Sequence, residues 1–245
     1  MKNYVVILLG FLFAASILSC SKDDTSYPKA GVVYKSNGIV DGNPSNLQAS
    51  QKRDVQQLHD KLRSMSNDDL FQFALNCGNQ GNCSEALAAY NKILETDKNY
   101  PDLYYYQGLL YRDMGLLDEA VCAFQTAIQQ NPNSAEAHYN LGYAYRGKGL
   151  QNEAIAEYKK VLELISDNKS KQIASVHYNL GFSYFSNGMF DEAINEYNKA
   201  LALKPKDKEI HQKLGIAYTA KGWTDKAKDE FSLFNLNEKP NKKIP

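Results

Sequence analysis

Small and apolar residues return along this chain at an interval of 34 positions, broken once. Gly108, Gly142, Gly181 and Gly215 each stand three residues before a tyrosine (Tyr111, Tyr145, Tyr184 and Tyr218) and seven before a second glycine (Gly115, Gly149, Gly188 and Gly222). Ala120, Ala154, Ala193 and Ala227 follow in register, each four residues ahead of an aromatic ring (Phe124, Tyr158, Tyr197 and Phe231). Apolar positions three and four apart on either side of the second glycine predict two amphipathic helices per unit. That glycine is expected to end the first helix, where a left-handed residue is favoured. Asp118 and Asp191 are expected to cap the second helix, and Pro101 to sit in the first turn of a helix, where its missing N–H is harmless. The first glycine and the alanine are expected where the two helices cross, because only a tiny side chain permits close approach. A leucine in place of Gly142 would overpack such a contact by roughly 1–3 kcal/mol.

These residues at this period resemble the tetratricopeptide repeat, a helix-turn-helix unit of 34 residues. The resemblance covers about 170 residues and sets units at 67–100, 101–134, 135–168, 174–207 and 208–241. The first unit is degenerate: Ala74 and Cys77 replace the glycine and the tyrosine, while Gly81, Ala86, Tyr90 and Ile93 keep the frame. The fold this implies is all-α, a right-handed α-solenoid of about five such units with an N-terminal flanking helix at 51–66. One unit cannot bury its own apolar face, so stability is expected to be a sum over neighbours. Residues 169–173 interrupt the period and are expected to lengthen the helix that follows. A tail at 242–245 ends the chain, and with no capping helix after the fifth unit an apolar edge is expected around Phe231 and Phe234.

The start of the chain has a different pattern. Lys2 is the only charge before an apolar run from Tyr4 to Leu18, closed by Ser19-Cys20. A charged start, a short apolar segment and a small residue at the cut site describe a secretory signal. The run of about 15 residues is short of the roughly 20 that span a membrane, which leaves an uncleaved anchor as the alternative. Ile17-Leu18-Ser19-Cys20 resembles the lipobox of bacterial lipoproteins, which implies a signal peptide at 1–19 and a lipid on Cys20. Two or three acyl chains hold a protein where one is marginal. Ser21 resembles the sorting residue of lipoproteins sent to an outer membrane, and Asp23-Asp24 resembles a surface-export signal. Residues 20–50 are polar, without an apolar period, and read as a flexible tether. The location implied is the bacterial cell envelope, at the periplasmic face of the outer membrane or the cell surface.

Charge narrows the function classes. The chain holds 28 basic and 28 acidic residues, which argues against a nucleic-acid partner. It has no Gly-rich phosphate loop, no paired metal-ligand motif and no nucleophile elbow, so neither catalysis nor a cofactor nor a metal is expected. The family resemblance instead implies a groove lined by the first helices that binds a protein or peptide. One column of that face runs Phe71, Tyr105, Tyr139, Tyr178, Gln212, with Tyr106 beside it. A turn later come Leu75, Leu109, Tyr143, Phe182 and Ile216, and beyond them Arg112, Arg146 and Phe185. Aromatics and arginine are common interface anchors, although tyrosine is also frequent in the repeat itself. Asn140 and Asn179 resemble the asparagines that grip peptide backbones in this family. Tyr105, Tyr139 and Tyr178 occupy positions where the clamp of chaperone-tail receptors needs Lys and Asn, so that sub-family is not resembled.

Two further sets are ambiguous by sequence. His138, His177 and His211 share one repeat position and read as packing residues, with a shared metal as the alternative. Cys77, Cys83 and Cys122 remain beside Cys20, and a Cys77–Cys83 bridge across a helix turn is open in an oxidising compartment. The reading that joins these features is a lipid-anchored, non-catalytic interaction scaffold, with self-association through the C-terminal edge as the alternative.

Overall fold

The computed structural model describes residues 5–6, 32–35, 38–41, 49–165 and 170–236. Cys20, with most of the expected leader and lipidation motif, and the tail at 242–245 lie outside them. The chain divides into two compact units, residues 1–132 and 133–245.

In the first unit, α1 (Ala49–Arg63) buries Val55 and Leu62 and touches α3. Two helix pairs follow, α2 (Asn67–Asn79) with α3 (Cys83–Thr96), and α4 (Leu103–Asp113) with α5 (Leu117–Gln130). Three short strands precede them. β1 (Val5–Val6) pairs antiparallel with β2 (Val32–Lys35), and β2 with β3 (Gly38–Asp41) in the register Lys35↔Gly38. Part of the stretch expected to be a flexible tether is therefore paired backbone. Its valines, Tyr34 and Ile39 are the residue types that favour strands.

The second unit holds three helix pairs: α6 (Ala135–Gly147) with α7 (Gln151–Leu164), α8 (Ser170–Ser186) with α9 (Phe190–Leu203), and α10 (Lys208–Ala220) with α11 (Thr224–Leu236). α7 packs on α8 and α9 on α10, so the first pair is covered by the second and the second by the third. Its core runs through Tyr158, Val176, Leu180, Tyr197 and Leu214. The period break lengthens α8, which begins at Ser170. The fold class is all-α in its repeat body, as the spacing predicts.

The glycine pattern has a direct structural cause. A Cβ added at Gly108 would stand 2.7 Å from the Phe124 ring, and one at Gly142 would stand 3.0 Å from Tyr158. Gly181 faces Tyr197 and Gly215 faces Phe231 in the same way. Each first helix thus lies directly on the aromatic ring that the sequence places four residues after the alanine. Phe231 is half-buried by this packing, which withdraws it from the exposed edge expected there. Tyr111, Tyr184 and Tyr218 are buried in the core, while Tyr145 is only half-buried.

The helix ends correct two expectations. Asp118 and Asp191 do not cap α5 and α9. The N-cap positions belong to Leu116 and Met189, neither with a side-chain cap. Leu116 is committed to the preceding helix instead: its N–H donates to the Tyr111 carbonyl (2.9 Å) and that of Gly115 to Arg112 (3.0 Å). With φ of +75° at Gly115, this is a Schellman closure, and an apolar residue following the glycine accompanies it. Asp118 and Asp191 lie one residue inside their helices' first turns, where a negative charge still favours the dipole. Pro101 stands outside α4, whose N-cap is Asp102 in a left-handed conformation, φ +56°. True side-chain caps occur on first helices: Ser66 on α2, Ser134 on α6 and Asp207 on α10.

Candidate functional site

The first helices of the second unit, α6, α8 and α10, wall one cleft of about 310 Å³, to which α6 and α8 bring tyrosines. Tyr139, Tyr143 and Arg146 line it from α6, Ala174, Ser175, Tyr178 and Asn179 from α8, and Lys204, Asp207, Glu209 and Ile210 from the turn into α10. Each column tyrosine rests on the ring of its own pair's second helix, Tyr139 on Tyr158 at 5.7 Å and Tyr178 on Tyr197 at 6.1 Å. Hydrogen bonds then tie neighbouring pairs together. Asn179 donates to the Tyr139 hydroxyl (2.7 Å) and to the Ser175 carbonyl (3.0 Å), and the Tyr178 hydroxyl donates to Glu209 (2.6 Å). Burial first, then this bond and the carboxylate's charge, raise the Tyr178 pKa, so the phenol stays neutral and a donor.

Arg146 sits at one edge of the cleft with its guanidinium carbon 4.7 Å from the ring centres of both Tyr143 and Phe182. The Lys213 Nζ stands 5.6 Å from the centre of the same Phe182 ring. Tyr143 is 40% exposed, enough for its ring to meet a ligand. Asn140 is buried and donates to the Glu136 carbonyl of its own helix (2.8 Å), and it does not line the cleft. Phe185 lies 5.3 Å from Phe190 and packs against the core.

The remaining groove residues belong to the first unit. Tyr105 and Tyr106 are half-buried and meet edge to face at 5.3 Å, and Tyr106 also meets Phe71 at 5.3 Å. Arg112 pairs with Asp113 at 2.7 Å. Phe71, Tyr105 and Tyr106 thus form an aromatic cluster within this unit.

The histidines have partners that the sequence reading missed. His138 meets Glu157, His177 meets Glu196 and His211 meets Glu230, each through Nδ1 at 2.6 Å. The separation is 19 residues every time, so the glutamates at one matching position were a signal in the sequence. Each pair joins the first helix to the second within its own repeat. No group of three His, Cys, Asp or Glu among the described residues could hold a metal ion. Cys77 and Cys83 are free thiols, which corrects the bridge considered between them. The Cys77 sulfur turns to Glu85 instead (3.6 Å), and burial, together with that carboxylate, pushes its pKa up to about 11. Among the described residues, no helix is long and apolar enough to cross a membrane.

The pairs make stability depend on pH in two directions. Burial acts against the Glu196 carboxylate, but hydrogen bonds from His177 and Lys199 outweigh it and hold its pKa below the ordinary 4.5. Its contribution is therefore present above that ordinary value and lost as pH falls through the folded value. Burial also acts against charged His211, yet the bond to Glu230, the Pro205 carbonyl and the charges of Glu230 and Asp207 raise its pKa above 6.5. That contribution is complete below 6.5 and is lost as pH rises through the folded value. Thermal melts are expected to show a maximum midpoint near about pH 5.5, falling on both sides. His211→Gln should flatten the alkaline limb and Glu196→Gln the acid limb. Unchanged limbs would remove these pairs as the cause.

Comparison with known proteins agrees with this geometry. Family models described as TPR repeat match residues 108–149 and 183–222, and others described as tetratricopeptide repeat match 135–168 and 72–124. A crystal structure of MamA protein is similar at 29% identity, over 69% of this chain and 89% of that one, with a TM-score of 0.64. A second MamA crystal structure is 30% identical, over 66% of this chain and 91% of that one, with a TM-score of 0.61. MamA from Desulfovibrio magneticus RS-1, from residue 41 to its end, matches at 23% identity over 69% and 92% of the two chains, with a TM-score of 0.64, a likeness of fold alone. No match was found among curated proteins.

Proposed function

The chain belongs to the tetratricopeptide-repeat family, and from that premise we propose that it is a non-catalytic scaffold that captures a protein or peptide on the first-helix face of its second unit. The observation that carries this reading is the cleft itself. Two successive first helices, α6 and α8, leave Tyr139, Tyr143, Tyr178 and Arg146 at its wall, and tyrosine and arginine are residue types that dominate interface energetics. Of the cleft's two carboxylates, Asp207 caps α10 and Glu209 accepts the Tyr178 hydroxyl.

The proposal includes a lipid on Cys20 as the tether to the bacterial envelope, with the outer membrane as the destination. Its support is the Ile17-Leu18-Ser19-Cys20 sequence and Ser21. Metabolic labelling with a radioactive fatty acid tests it: Cys20→Ala should lose the label and leave the membrane fraction, and a soluble, unlabelled native protein would overturn it. Self-association is the second reading, favoured by Trp223 and Leu233, which are 40% and 43% exposed around the last helix pair.

Affinity capture with crosslinking in intact cells tests the scaffold reading. The native chain is expected to capture a partner that a still-helical variant with Tyr105→Ala, Tyr139→Ala and Tyr178→Ala loses. Capture of the same protein by both forms would move the site away from this face. Concentration-dependent size without any second protein would favour self-association.

A further inference from the structure

We propose that the cleft edge at Arg146 selects a peptide segment in which acidic and apolar side chains alternate, with a carboxylate seated on the Arg146 guanidinium. The inference rests on the scaffold reading and adds the chemistry of the partner.

The first ground is an uncommitted charge. Among the described residues, Arg146 has no carboxylate within ion-pair reach, and neither has Lys213 on α10. Both cations instead approach the Phe182 ring, at 4.7 and 5.6 Å. A guanidinium held over two ring faces keeps its N–H groups in its own plane, free to meet a carboxylate with two parallel bonds. The rings also fix the side chain in advance, so less rotamer freedom is lost when the ligand arrives.

The second ground is what surrounds the charge. Tyr143, Phe182 and Ile216 occupy one position of three successive first helices, so they follow one another along the face. Tyr143 and Ile216 are 40% and 38% exposed, large apolar groups turned to solvent beside two cations. A ligand that alternates acidic and apolar side chains matches both. The cleft's own carboxylates do not neutralise Arg146. Asp207 accepts the N–H groups of Glu209 and Ile210 at the start of α10, and Glu209 accepts the Tyr178 hydroxyl. Their charge instead orients the ligand, placing its acidic side chain at the Arg146 and Lys213 edge. A nucleic acid would need a wider basic surface than Arg146, Lys204 and Lys213 supply.

Fluorescence anisotropy on the full chain tests this with three labelled peptides of one length: alternating Glu and Leu, Gln and Leu, or Lys and Leu. The Glu–Leu peptide is expected to bind at least about tenfold more tightly than the Gln–Leu peptide, the worth of one charge-assisted contact. Arg146→Gln should erase that ratio while the variant still unfolds in one cooperative transition, and Arg146→Lys should keep part of it. Equal binding of the Glu–Leu and Gln–Leu peptides would overturn the acidic preference and leave the scaffold reading standing. Preference for the Lys–Leu peptide, a ratio that survives Arg146→Gln, or no binding of any peptide would overturn the inference too. The capture experiment decides the broader reading separately, since it does not depend on Arg146.

Discussion

Gly181→Leu is expected to lower the stability of the second unit by about 3 kcal/mol, at the upper end of what overpacking costs. The reason is local. A Cβ at this position would lie 2.9 Å from two atoms of the Tyr197 ring and 3.3 Å from the backbone oxygen of Ala193. A ring can tilt, but a carbonyl within α9 cannot withdraw without lengthening its own helix bond. Urea unfolding followed by far-UV circular dichroism measures the loss. A compensating pair makes the test specific to this contact. Tyr197→Ala alone should cost about 3–5 kcal/mol, because it empties a fully buried site. The double variant should lose at least about 1 kcal/mol less than the sum, since the new leucine enters the space the ring vacates. Strict additivity would mean that the glycine is not there to seat the ring. Gly181→Ala should be milder, as a fully buried alanine, Ala74, occupies the matching position of the first pair.

This contact also shows what the sequence disclosed and where it stopped. The spacing of glycine, alanine and aromatic residues identified helix pairs and their crossing points, because each depends on chain-local geometry repeated in one period. It did not disclose that the ring sits on the glycine itself, which depends on the rotation of two helices about each other. The turn residues were misread for a related reason. Asp118 is a good cap by residue type, but Leu116 fills the position because the same backbone N–H closes the helix before it. Pro101 precedes the helix instead of entering its first turn, because the left-handed Asp102 intervenes as N-cap. Of the groove residues, Tyr139, Tyr143, Arg146, Tyr178 and Asn179 meet in one cleft, which Asn140 does not line. Both asparagines donate to the carbonyl four residues back in their own helix, as their shared repeat position suggests. The bond from Asn179 to the Tyr139 hydroxyl, 40 residues away, was not legible because it depends on how neighbouring helix pairs pack.

Glu196→Leu is expected to cost about 3 kcal/mol at neutral pH, the upper end of what losing the hydrogen bonds of a buried charged group costs. Glu196 bonds His177 through one carboxylate oxygen and Lys199 through the other, at 2.6 and 2.7 Å. Removing it leaves the His177 Nδ1 without its partner in a site where both side chains are nearly closed to water, at 13% and 8% exposure. Replacing both, His177→Leu with Glu196→Leu, should return to within about 1 kcal/mol of the native protein, because an apolar pair carries no desolvation cost. The three repeats provide an internal scale. The glutamates of the matching pairs are 8% exposed at Glu196, 17% at Glu230 and 23% at Glu157. If burial sets the cost, the same substitution should weaken in that order when thermal and urea unfolding are compared. An equal loss at all three would make the hydrogen bond, which has one length in every repeat, the controlling factor instead. A loss below about 0.5 kcal/mol at Glu196 would class the pair with exposed ion pairs that contribute little. The helix pairs would then be held by their aromatic rings alone.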